Sequence, residues 1–157
     1  MSYVQQVLQP GESVRLRTNL HWFVYLPSLI ALVIGLSLGA WYYVRLDTAE
    51  GQFNLLLLIG TLTALATGLL LAGFAWLKRY GTEIAVTNHR VIYKTGLIRR
   101  HTTEINMDKI ESVDVDQGIL GRVFGYGTVT IRGTGEAVEP ISDIGDPLDF
   151  RNAIMVR

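Results

Sequence analysis

WFVYLPSLIALVIGLSLGAWYYV, residues 22–44, and FNLLLLIGTLTALATGLLLAGFAWL, residues 53–77, contain no Asp, Glu, Lys or Arg. As helices at about 1.5 Å per residue the two runs reach roughly 34 and 37 Å, enough to cross a hydrocarbon core of about 30 Å. Thirteen residues of the second run are Phe, Leu or Ile. At about −0.3 to −0.6 kcal/mol each they favour insertion by several kcal/mol. Aromatic residues bracket the runs: Trp22, Phe23 and Tyr25, then Trp41, Tyr42 and Tyr43, then Phe74, Trp76 and Tyr80. Amphipathic rings at both ends of an apolar run mark headgroup level. The first run is too long for the core of a signal peptide and too far from the N-terminus. The eight residues 45–52 force the two helices into an antiparallel hairpin.

The whole chain has 157 residues, a mean hydropathy of +0.29, and 14 Lys and Arg against 14 Asp and Glu. All the charge lies outside the two runs, so a membrane hairpin is joined to a polar domain of ordinary charge density. Zero net charge argues against a general nucleic-acid binder. There is no cysteine, which excludes disulfides, thiolate metal sites and cysteine nucleophiles. Histidines 21, 89 and 101 are too far apart for a helical two-histidine metal site. Arg15, Arg17, Lys78 and Arg79 flank the hairpin, while its connection holds Arg45 alone among Lys and Arg. This asymmetry places both termini in the cytoplasm and 45–52 outside.

Small residues recur every four positions in both runs: Ala31, Gly35 and Gly39 in the first, and Gly60, Ala64, Gly68 and Ala72 in the second. Such stripes let backbones approach closely. Two uses are open: packing of the two helices on each other, or packing on a second copy or another membrane protein.

Beyond residue 80 the period changes to two. Strands are expected over 82–87, 90–95, 97–105, 110–116 and 128–132, with a weaker edge strand over 136–141 that contains Pro140. Ile84 and Val86 share a face, as do Val91 and Tyr93, Val113 and Val115, and Val129 and Ile131. In QGILGRVFGYG, residues 117–127, the spacing of Ile119, Leu120, Val123 and Phe124 suits one face of a short helix. Gly125 and Gly127 can end it. A last helix is expected from Asp146 as cap and Pro147 at its first position, with Leu148, Phe150 and Ile154 on its apolar side. Near the N-terminus, Pro10-Gly11-Glu12 signals a turn, and 13–19 alternate Val14 and Leu16 with Arg15 and Arg17. That segment can add a strand to the domain's sheet.

TNHRVIYKTGLIRRHTTEINMDKIESVDVDQGILGRVFGYGTVTIRGTG, residues 87–135, resembles the bacterial pleckstrin-homology (PH-like) family of two-helix membrane proteins. The Thr-Asn-x-Arg-x-Ile-Tyr opening, Lys-Ile-Glu-Ser-Val and Gly-Arg-x-Phe-Gly-Tyr-Gly-Thr-Val carry the resemblance. The hairpin and the Pro-Gly-Glu before it share that family's layout. The resemblance implies a PH-like barrel capped by a C-terminal helix, a bacterial inner-membrane location, and no catalytic residues. PH-class domains bind phospholipid headgroups or protein partners. The expected architecture is a two-helix membrane hairpin plus an all-β PH-like barrel or sandwich with a C-terminal helix. Its parts are a cytoplasmic segment 1–21, helices 22–44 and 53–77, the external loop 45–52, and a cytoplasmic domain 78–157.

Charge is segregated along that domain. Residues 78–101 hold Lys78, Arg79, Arg90, Lys94, Arg99 and Arg100, with His101, against Glu83 alone. These are the candidate contacts to anionic lipid, at about 1 kcal/mol per basic residue, or to a partner. Their plainer role is to set topology from solvated strand faces. Asp114 and Asp116 share a strand face, which suits solvation better than a cation, since no third ligand follows at a telling spacing. Glycines 121, 125, 127, 133 and 135 do not match a dinucleotide or phosphate-loop pattern. Arg122 either pairs with an acid or faces a partner. No cofactor or metal is expected. The leading expectation is a non-catalytic scaffold or accessory subunit that binds a membrane protein or a second copy. Recognition of anionic phospholipid is the alternative, and an enzyme is a remote one.

Overall fold

The computed structural model describes residues 3–45, 51–97, 99–134 and 140–156. The chain divides into two compact units, residues 24–76 and residues 1–23 with 77–157.

The first unit is the helical hairpin. A 3-10 turn, Trp22–Tyr25, leads into α2, Leu26–Arg45, and α3 follows as Gly51–Gly81. Both helices are long and apolar enough to cross a membrane, and α3 continues beyond the apolar run through Lys78 and Arg79 to Gly81. Three hydroxyls inside the helices bond to the preceding turn: Ser37 donates to the Val33 carbonyl at 2.8 Å, Thr61 to Leu57 at 2.8 Å and Thr63 to Ile59 at 2.9 Å. A hydroxyl left without a partner away from water costs several kcal/mol.

The small-residue stripes lie between these two helices. A Cβ on Gly35 would sit 2.8 Å from Leu65 Cδ2 and 3.1 Å from the Leu65 amide nitrogen. On Gly68 it would sit 2.7 Å from Leu32 Cγ and 3.1 Å from the Leu32 nitrogen, and on Gly39 it would meet the Thr61 methyl at 3.2 Å. Gly60 faces Leu38 more loosely, at 3.8 Å. Ala31, Ala64 and Ala72 are half-buried. Each leucine thus fills the hollow left by a glycine on the facing helix. Gly68→Val should destabilise the hairpin by about 1–3 kcal/mol through overpacking. Gly73→Val, where a Cβ meets nothing within 4 Å, should change packing little. Detergent denaturation followed by helix content compares the two, and equal effects would contradict the assignment.

The second unit is a β-sandwich assembled from both ends of the chain. Its elements are α1, Tyr3–Val7; β1, Val14–Thr18; β2, Glu83–Thr87; β3, Arg90–Thr95; β4, His101–Asn106; β5, Ile110–Asp116; α4, Ile119–Phe124; β6, Tyr126–Gly133; β7, Ile141–Gly145; and α5, Pro147–Met155. One antiparallel sheet has the order β1-β2-β3-β4 and the other β5-β6-β7. β1 lies antiparallel to β2, with Leu16 opposite Val86 and Thr18 opposite Ile84. A lone bridge between Leu20 and Ile144 brings the chain after β1 against β7. Between the sheets lie Ile84, Val86, Val91, Val113, Val129, Ile131, Ile141 and Ile144, closed over by Phe150 and Ile154 of α5.

Several local details depart from the reading of the sequence. β4 begins at His101 rather than 97, because Gly96, at φ +84°, starts a turn that only glycine fits: a Cβ there would land on the Arg99 carbonyl. An edge strand runs over Ile141–Gly145; of the strand expected over 136–141, residues 136–139 lie outside the described residues, and Pro140 has no amide hydrogen to give a ladder. Asp146 precedes α5 with φ +49° and its side chain caps nothing, while its amide donates to the Gly125 carbonyl at 2.9 Å. Leu148 is exposed, whereas Phe150 and Ile154, one turn apart, are buried in the core.

The two central strands of the first sheet, β2 and β3, are buried on both faces. Ala85, Thr87 and Ile92 point away from the core yet are inaccessible. α1 packs on β2 with Val4 buried, and the Tyr3 amide donates to Glu83 Oε1 at 3.3 Å. Residues Tyr3–Val7 therefore form a cover ahead of the first strand.

Candidate functional site

Arg90, near the start of β3, is held by the N-terminal cover. Its Nε donates to Glu12 Oε1 at 3.0 Å and its Nη2 to Glu12 Oε2 at 2.8 Å, a two-pronged pair. Its Nη1 reaches Glu104 at 2.9 Å, and Nη2 also donates to the Val7 carbonyl at 2.7 Å. The side chain is 13% exposed and that of Glu12 1%. Burial pushes the Glu12 carboxyl up, but bonds from the Gln9 amide, the Thr87 hydroxyl and Arg90, together with the Arg90 charge, hold it below the usual carboxylate range. Glu12 raises the guanidinium chiefly through their hydrogen bond; burial opposes this, and the nearby Glu104 charge adds to it. Lys94 is likewise buried, 3.8 Å from Glu83, which also lies 3.5 Å from Arg17.

The basic residues of the 78–101 stretch thus differ in their surroundings. Arg90 and Lys94 are spent on internal pairs that tie β3 to the N-terminal segment, β4 and β2. Lys78 is exposed and pairs with Asp143 at 3.3 Å. Arg79 is exposed at the end of α3. Arg99, Arg100 and His101 are exposed at the turn between β3 and β4. That turn lies against the end of α3: a Cβ on Gly81 would stand 3.3 Å from the Gly96 carbonyl carbon and the Leu97 nitrogen. Beside that turn is a cleft of about 370 Å³ lined by Leu20, Leu77, Lys78, Thr82, Tyr93 and Ser142, among others.

Asp114 is 3.0 Å from Arg132 on the neighbouring strand, both more than half exposed. Such a pair contributes about 0–1 kcal/mol. Among the described residues no group of three His, Asp or Glu side chains is placed to hold a metal ion.

The least expected surface is α4. An amphipathic helix normally turns its large apolar side chains inward. Here the buried residue is Gly121, where a Cβ would lie 2.5 Å from the Tyr126 carbonyl oxygen, and the apolar residues face out. Ile119 is 84% exposed and Val123 72%, with Leu120 and Phe124 also exposed. Burying such side chains stabilises by about 1.5–3 kcal/mol each, so the fold forgoes several kcal/mol here. Gly127 allows the reversal into β6: a Cβ there would meet Gln117 Cγ at 2.7 Å and the Asp116 carbonyl at 2.9 Å. Arg122 is exposed and makes no ion pair among the described residues; it lines a cleft of about 330 Å³ with Asp146 and Asp149.

Phe124 joins α4 to an aromatic cluster. Its ring lies 5.7 Å from Phe23 and 6.0 Å from Trp22, and Tyr126 stacks on Phe23 at 4.1 Å and on His21 at 5.6 Å. The His21 amide donates to the Asp143 carbonyl at 2.7 Å, fixing this strip to β7.

Comparison with known families accounts for this architecture. The family described as Bacterial PH domain matches residues 15–155, from β1 to the last residue of α5. The chain belongs to the Bacterial PH domain family. No curated protein and no solved structure matches it. In this Bacterial PH domain the matched stretch takes in both long helices and the strand that precedes them. The hairpin is thus inserted between the first and second strands of one sheet. PH-like domains are generally interaction modules without catalytic activity.

Proposed function

We propose that this chain is a membrane-anchored, non-catalytic interaction module. In this reading α2 and α3 cross the bacterial inner membrane with both termini in the cytoplasm. The PH-like domain serves as scaffold or accessory subunit for another membrane protein, or for a second copy. The observation that carries the preference for a protein partner is the internal pairing of Arg90 and Lys94. A headgroup reader needs unpaired cations on one face, and two of the candidates are buried against carboxylates. The hairpin moreover supplies the anchoring that lipid recognition would otherwise provide.

Recognition of anionic phospholipid is the second reading, favoured by one observation: Arg99, Arg100 and His101 stay exposed on the turn that touches Gly81. The test is mild detergent extraction of the full chain and of the Arg99→Gln/Arg100→Gln double variant, with bound protein and lipid quantified. The protein-partner reading expects a stoichiometric membrane protein retained by both. Retention of anionic phospholipid alone, lowered by the double change and by salt, would support the headgroup reading instead, because exposed Coulombic contacts are screened over about 10 Å at 0.1 M salt.

A further inference from the structure

We propose that α4 is an interfacial wedge: its apolar face lies in the headgroup–acyl boundary of the bilayer that α2 and α3 cross. This rests on the reading that those helices span the membrane. Three observations identify the bilayer as occupant. First, α4 is inverted, with a glycine against the domain and Ile119, Leu120 and Val123 outward. Second, Phe124 is in ring contact with Trp22 and Phe23, the residues immediately before the chain enters α2. The apolar face is therefore continuous with the aromatic residues expected at headgroup level, and Trp22 itself is half exposed. Third, residues 117–127 contain no acid and a single cation, Arg122. Apolar side chains beside a cation whose stem can reach headgroups suit an anionic interface. A wedge of this kind fixes the tilt of the domain beside its anchor, which a flexible tether does not.

The chain's lack of cysteine allows single-site probes. The full chain is placed in nanodiscs of phosphatidylethanolamine and phosphatidylglycerol, one chain per disc. An environment-sensitive fluorophore is attached to Val123→Cys, Ile119→Cys, Leu36→Cys or Lys109→Cys in turn. Positions 119 and 123 are exposed, so the changes leave the fold intact. Leu36 is exposed on α2 and reports spanning. Lys109 lies beyond the seven-residue strand β5, about 20 Å from α4 at roughly 3.3 Å per residue. Spin label high on the lipid acyl chain should quench positions 119, 123 and 36 several-fold more than 109. Quenching at 36 but not at 119 and 123 would overturn the wedge and leave the anchor standing. No quenching at 36 would remove the anchor itself. Protection of 123 from aqueous iodide without quenching by lipid would overturn the wedge in favour of a protein cover.

Discussion

Deleting residues 1–19 should abolish cooperative folding of the β domain. The segment supplies β1 at the edge of the first sheet, Leu16 against the core, Val4 as part of the cover over its outer face, and Glu12 as the partner of Arg90. Breaking a buried ion pair alone costs about 3–5 kcal/mol. Domains hold only about 5–15 kcal/mol in total, and losing a strand and its cover adds to that loss. The fragment 81–157 should show no cooperative thermal transition, whereas a fragment in which residues 1–23 are joined by a short linker to 77–157 should unfold cooperatively. Unchanged thermal stability in fragment 81–157 would show that the N-terminal segment is an appendage.

Glu12→Ala should destabilise the domain by about 3–5 kcal/mol, because it leaves the Arg90 guanidinium largely buried with its main partner gone. The pH dependence follows from the same pair. The Glu12 carboxyl has a folded value below that of the unfolded chain, near 4.3. The pair's contribution is therefore complete above that unfolded value and is lost as pH falls through the folded one. Wild-type stability should hold from neutral pH down to about 4.3 and decline below it. Glu12→Gln should be less stable at pH 7 and lack that step. Near-UV circular dichroism during denaturant titration at several pH values measures both; a Glu12→Gln variant as stable as wild type at pH 7 would rule out the pair as a tie between the N-terminal segment and the sheet.

Much of this architecture is legible in the sequence because its periods are clean. The alternation of residues 90–95 and 110–116 reads directly as β3 and β5, since one face of each meets the core. The two uncharged runs read as long helices for want of any polar side. What the sequence conceals is partnership across distance. Arg90 and Arg99 look alike in a basic stretch, but one is held by a carboxylate 78 positions away and the other is exposed at a turn. Five residues, Tyr3–Val7, are too few to show a helical period, so α1 and its cover over β2 are invisible until Ala85 and Ile92 are found buried. For α4 the spacing of Ile119, Leu120, Val123 and Phe124 identifies a helix but carries no sign for inward or outward. Gly121, the one residue small enough to lie against the Tyr126 carbonyl, decides it. In the hairpin the stripes predict close approach without naming the partner; the facing leucines 32 and 65 supply it.

Cysteine accessibility in intact cells addresses the central claim, an anchor that crosses the membrane and holds the PH-like domain on its cytoplasmic side. Thr48→Cys, in the short connection between the helices, and Lys109→Cys, on the domain, are each placed in the otherwise cysteine-free chain. A membrane-impermeant maleimide should label position 48 in intact spheroplasts and position 109 only after the membrane is broken. The reverse pattern, or labelling of both positions without permeabilisation, would contradict the account.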